Sequence, residues 1–188
     1  MKYGQKGFTL LEILLTAAIS TIIMAGAFTL LRVSNDQFRF IHSKMTLEED
    51  LRRALFKMAQ EIRQTSYTKI TNFGTGNTLS GTTINFRVPV PAPDASTLVD
   101  SNYSPLWAAD INYALDSNTR QITRTSVENG ETKESVLANN VTTLTFSRPS
   151  ATSGLVTITA AAQQELSDGR LVPKEPLQIT AQAEARNP

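Results

Sequence analysis

The amino-acid sequence predicts an α+β chain in which one long amino-terminal helix, its first half transmembrane, packs on an antiparallel β-sheet head. Three observations predict it. Between Phe8 and Leu31 the only formally charged residue is Glu12. Apolar residues then recur at spacings of three and four as far as Ile62, and from Ile70 onward the pattern changes to alternation. The 188 residues suffice for one domain plus an appendage.

The helix comes first. The run from Phe8 to Leu31 is 24 residues long. As a helix it measures roughly 36 Å, against a hydrocarbon core about 30 Å thick, so it spans a bilayer with some tilt. Lys2 and Lys6 precede it, and the preference for cytoplasmic cations holds that end inside. The rest of the chain then lies beyond the inner membrane. The small residues Ala25-Gly26-Ala27 leave a second reading open, an ordinary secretory signal cut after Ala27. The product would be an exported domain with an unrecognised binding or enzymatic activity. Against it, the apolar run continues through Phe28, Leu30 and Leu31, and Glu12 is a poor residue for a signal core.

Past Leu31 the chain becomes polar but keeps a helical period. Ile41, Met45, Leu51, Leu55, Met58 and Ile62 mark a core-facing stripe, with Glu48 in one of its positions. Glu48 with Arg52, and Glu49 with Arg53, are spaced to pair one turn apart. No proline occurs between Met1 and Arg87. A single helix is therefore predicted from about Phe8 to Thr65.

The head is predicted to be strands. In "TTINFRVPV", Ile84, Phe86, Val88 and Val90 share one face, and in "DINYALD" so do Ile111, Tyr113 and Leu115. "RQITRTS", "KESVLA", "VTTLTFS", "GLVTITAAA" and "PLQITAQAEA" are further strand candidates. Asn129-Gly130 signals a tight hairpin and Asp168-Gly169 another turn. Prolines forbid a central strand between Pro89 and Trp107. There Tyr103, Leu106 and Trp107 are candidate anchors of a partner-contact loop, with Trp107 folding into the core as an equal alternative.

Composition removes whole classes of chemistry. Lys and Arg number 18 against 17 Asp and Glu, a net charge of +1, and the basic residues are dispersed, so no nucleic-acid groove is indicated. The absence of cysteine removes disulfides and thiolate chemistry, and a single His42 offers little for catalysis. No phosphate-cradling glycine loop occurs. Asp100, Asp110 and Asp116 are scattered rather than clustered as a calcium loop requires. No metal, cofactor or catalytic residue is expected.

Glu12 needs an explanation. A charge inside a bilayer costs about 2.5–3.5 kcal/mol and calls for a partner. A positive charge near 4 Å returns about 4 kcal/mol at an effective dielectric of 20. Cost and gain nearly cancel, so the pair supplies register rather than stability.

The stretch Lys6-Gly7-Phe8-Thr9-Leu10-Leu11-Glu12 resembles the processing site of type IV prepilins and type II secretion pseudopilins. The resemblance implies a pilin-like fold and removal of residues 1–7 by a prepilin peptidase that cuts between Gly7 and Phe8. It implies N-methylation of Phe8 and a docking role for Glu12 against the amino terminus of a neighbouring subunit. Residues 8–31 would then form the membrane and filament-core helix, 32–67 its amphipathic continuation, and 68–188 a periplasmic β-rich head. "LRRALFKMAQEIRQTSY", "INYALDSNTRQITRTS", "LANNVTTLTFS" and the terminal "ARNP" resemble J-type minor pseudopilins and W-type minor pilins. Thr29 stands about where abundant subunits carry a helix proline. The implied partners are other minor and major pilins or pseudopilins, the peptidase, an inner-membrane assembly platform and, before assembly, lipid.

Overall fold

The computed structural model describes residues 9–71, 79–89, 107–128, 130–166 and 168–186. One α-helix, α1, spans Leu10–Ile62. A single 3-10 turn, Tyr67–Lys69, follows it. Then come eight strands: β1 Leu79–Gly81, β2 Thr83–Pro89, β3 Trp107–Asp116, β4 Gln121–Glu128, β5 Glu131–Ala138, β6 Val141–Arg148, β7 Leu155–Glu165 and β8 Leu171–Glu184. All of them pair antiparallel, in two four-stranded sheets ordered β1-β6-β7-β8 and β2-β3-β4-β5. The predicted single sheet is thus two. The chain leaves the β2-β3-β4-β5 sheet at Ala138, the end of β5, and β6 pairs instead with β1 and β7.

The chain divides into two compact units, residues 1–42 and 43–188. In the first, every described residue of the helix is exposed. In the second, Leu47, Leu51, Ala54, Leu55, Met58, Ala59 and Ile62 are buried on one face. They form a single cluster with Ile84, Phe86, Ile111, Tyr113 and Ile122 of one sheet and Leu144, Phe146, Val156, Ile158 and Ala183 of the other. The stripe begins later than predicted. Ile41 and Met45 are 53% and 65% exposed, and Leu47 is the first helix residue the core covers. Glu48–Arg52 and Glu49–Arg53 pair at 2.7 and 2.6 Å as their spacing implies.

The helix stops at Ile62, short of Thr65, because the next residues turn their polar groups to the sheets. Thr65 donates its hydroxyl to the Arg87 carbonyl at 2.5 Å, and Ser66 adopts an extended backbone and caps the 3-10 turn. Ile84, Phe86 and Val88 are buried on one face of β2, as are Ile111 and Tyr113 on β3, with Leu115 half-buried. Val90 and Asn129 lie outside the described residues. Gly130 and Gly169 have φ of +81° and +79°, the left-handed backbone that their turns require.

Candidate functional site

The start of α1 positions Glu12. Its flanking hydroxyl residue, Thr9, stands just outside the helix as N-cap, with its carbonyl accepting from Ile13 N at 3.2 Å. Thr9 N donates to Glu12 Oε2 at 3.0 Å, Thr9 Oγ1 donates to the same oxygen at 3.3 Å, and Glu12 N donates to Thr9 Oγ1 at 3.3 Å. This is a reciprocal capping box. It folds the acid back over the first turn, where the helix dipole also favours a negative charge. Among the described residues, the other carboxylate oxygen, Oε1, takes no hydrogen bond. Glu12 therefore keeps one acceptor open while the other is committed to its own helix. Thr9-Leu10-Leu11-Glu12 spells this box in the sequence, a signal the charge argument alone passes over.

Beyond Glu12 the threonines of the apolar stretch bond back onto their own helix. Thr16, Thr21 and Thr29 donate their hydroxyls to the carbonyls of Glu12, Ala17 and Ala25 at 2.9, 2.8 and 2.9 Å. In hydrocarbon each would otherwise cost several kcal/mol. The segment has a mean hydropathy of 2.1 over its most apolar window, long and apolar enough to cross a membrane. At its far end the Arg32 guanidinium lies 4.7 Å from the Phe28 ring centroid.

Gly7 and Phe8 lie outside the described residues, as do Tyr103 and Leu106. Trp107 opens β3 opposite Pro89, half-buried, with Lys69 Nζ at 5.7 Å from its ring centroid. His42 is exposed and meets Phe38 edge-on at 6.2 Å. Asp110 pairs with Arg87 at 2.6 Å, and Asp116 caps its turn through Asn118 N and the Thr119 hydroxyl at 2.8 Å each. Those bonds, that of Thr119 first, hold the Asp116 carboxyl below its ordinary pKa. Asp100 lies outside the described residues. Among the described residues no three histidines or acids group together as metal ligands.

The head contains one polar network that the sequence reading missed. Glu61, in the last turn of α1, accepts from the Tyr113 hydroxyl at 2.6 Å and from Arg124 Nε at 3.1 Å. The Glu61 and Arg124 side chains are each only 16% exposed. Burial, then the hydrogen bond and charge of Glu61, push the Tyr113 hydroxyl far above the ordinary tyrosine pKa. Burial pulls Arg124 down, but Glu61 outweighs it and the guanidinium stands above its ordinary value. The triad joins helix to sheet and gives that packing a register. A second buried cation, Arg148, donates to the carbonyls of Ser153, Ala151 and Tyr67 at 2.6, 3.0 and 3.4 Å.

An exposed apolar helix opened by a capped acid, followed by a β-rich unit, is a pilin-like architecture, and the helix fits a membrane anchor. Residues 2–28 match the family described as the prokaryotic N-terminal methylation motif. The match bears out the resemblance to type IV prepilin-like proteins read from Lys6 to Glu12. No curated protein and no solved structure matches the chain.

Proposed function

We propose that this chain is a minor subunit of a type II secretion pseudopilus or type IV pilus, which primes assembly and sits at the filament tip. In this reading the precursor waits in the inner membrane with its head in the periplasm. Cleavage between Gly7 and Phe8 removes Lys2 and Lys6 and creates a positive amino terminus. Glu12 then selects a neighbour whose amino terminus meets its open oxygen, and the apolar helix exchanges lipid for other subunits' helices. The observation that carries this is the single acid in the otherwise uncharged, exposed stretch of α1 up to Leu31, held by Thr9 with Oε1 open. Growth draws its energy from a separate ATPase of the assembly platform.

The test is the amino-terminal residue and mass of the protein purified from its native membrane. An N-methylated Phe8 is expected. A mature chain starting at Phe28 would make the same stretch a discarded export signal and end the proposal.

A further inference from the structure

The two sheets have four edge strands, and three are blunted by familiar means. Strand β1 has only three residues. Strand β2 is covered by the chain itself, with Thr71 N donating to the Asn85 carbonyl at 2.9 Å and the Thr65 hydroxyl taking the Arg87 carbonyl. Strand β5 carries Glu131, Lys133 and Glu134, all exposed. The fourth edge, β8, is the longest strand, at 14 residues. Its first half is protected by Pro173, Lys174, Glu175 and Pro176. From Leu177 to Ala183 it has no proline, no charge and no described partner on its outer side.

Two bonds beyond the strand's end tell which backbone groups face out. Ala185 N donates to Gly154 O on the β7 side, whereas Arg186 N donates to Thr65 O on the other, both at 2.8 Å. Backbone direction alternates along a strand, so Gln178, Thr180, Gln182 and Glu184 turn their N–H and C=O away from β7. Their side chains are exposed and polar, while Leu177, Ile179 and Ala181 lie half-buried on the opposite face. This is a strand-pairing template eight residues long, from Leu177 to Glu184.

We infer that this edge pairs with β8 of a second copy of the chain, antiparallel about a two-fold axis at Ala181. A closed two-fold pairing presents the same patch on both partners. The register follows from its ends. Centred on Ala181, Thr180 faces Gln182 and Gln178 faces Glu184, each pair occurring twice. The next rung would set Pro176, which has no N–H, against Arg186, whose N–H is already held by Thr65. The pairing therefore stops at both ends where the chain has nothing left to offer. A one-residue shift to Gln182 puts the occupied Arg186 opposite Gln178, and a shift to Thr180 puts Pro176 opposite Glu184. Only the Ala181 register uses all four outward residues, with about eight backbone hydrogen bonds and no like charges opposed.

The full chain in detergent tests this, and its lack of native cysteine makes introduced thiols specific reporters. Thr180→Cys mixed with Gln182→Cys brings the two Cα atoms to about 5.5 Å, within disulfide reach. Rapid formation of the mixed disulfide dimer is expected, with Thr132→Cys on the β5 edge as control. Thr180→Pro removes one outward N–H and should give loss of the dimer in sedimentation. Mixed cross-linking no faster than the control overturns the inference, as does a wild-type chain that stays monomeric. Capture of a different protein by Thr180→Cys in native membranes, in place of a second copy, overturns it as well.

Discussion

The two halves of α1 share a backbone and differ in every other respect. In the first, Leu10, Ile22 and Leu30 are 77%, 73% and 73% exposed; in the second, Leu51, Met58 and Ile62 are fully buried. Apolar residues surround the first half, whereas the second buries one apolar stripe and turns mostly charged and polar residues outward. A helix that is apolar all round asks for a uniformly apolar solvent, while a stripe asks for one surface. Polar groups divide the same way. Thr16, Thr21 and Thr29 bond to carbonyls of their own helix, as they must where nothing else can partner them. Glu61, in the last turn, reaches across to Tyr113 and Arg124. An acid near each end of one helix thus serves two ends: Glu12 is kept open at one oxygen, and Glu61 is closed.

The largest break in this comparison is expected from Glu61→Ala. It leaves Arg124 buried without its carboxylate and costs about 3–5 kcal/mol. Urea unfolding followed by the fluorescence of Trp107, the single tryptophan, measures it. Gly154→Ala comes next, because the added methyl would sit 2.8 Å from the Ala185 carbonyl oxygen, a backbone atom whose residue is fixed by the Ala185 N–H bond to Gly154 O. Such overpacking costs about 1–3 kcal/mol, read as a lower unfolding midpoint.

A smaller, pH-dependent effect belongs to Tyr113. Its folded pKa is raised, so the stability it contributes is fully present below the ordinary value of 10.0 and is lost above it, as the unfolded chain releases a proton the fold retains. Unfolding measured from pH 8 upward should show an alkaline decline that Tyr113→Phe flattens. The smallest effect on the head is expected from Glu12→Ala, which should leave the unfolding curve unchanged and the precursor processed. Co-purification of partner subunits and filament initiation should be lost. Unchanged co-purification would separate Glu12 from assembly.

Much of the molecule was legible in the sequence because its signals are local. The uncharged run to Leu31, the alternation in Ile84-Phe86-Val88 and the glycines at turns are each decided within a few residues. The Thr9–Glu12 box is equally local, a hydroxyl residue three positions before an acid, although the isolated charge of Glu12 by itself points only to a distant partner. The Glu61–Tyr113–Arg124 triad had no such signal, since Glu61 lies 63 positions from Arg124 and these two alone read as surface charges, while Tyr113 reads as a core-facing strand residue. Ile41 and Met45 were misplaced for a related reason, as periodicity marks a face but not where its covering begins.

By itself the sequence determined where the helix is apolar all round, where the chain turns to strands and which acid stands alone in the apolar stretch. These follow from composition and from periods of 3.6 and 2. Only the tertiary structure decided that the strands divide into two sheets, that Glu61 locks helix to sheet and that β8 ends its sheet with no strand beside it among the described residues. Strand partners and buried ion pairs depend on which distant segments meet, and no local pattern encodes that choice.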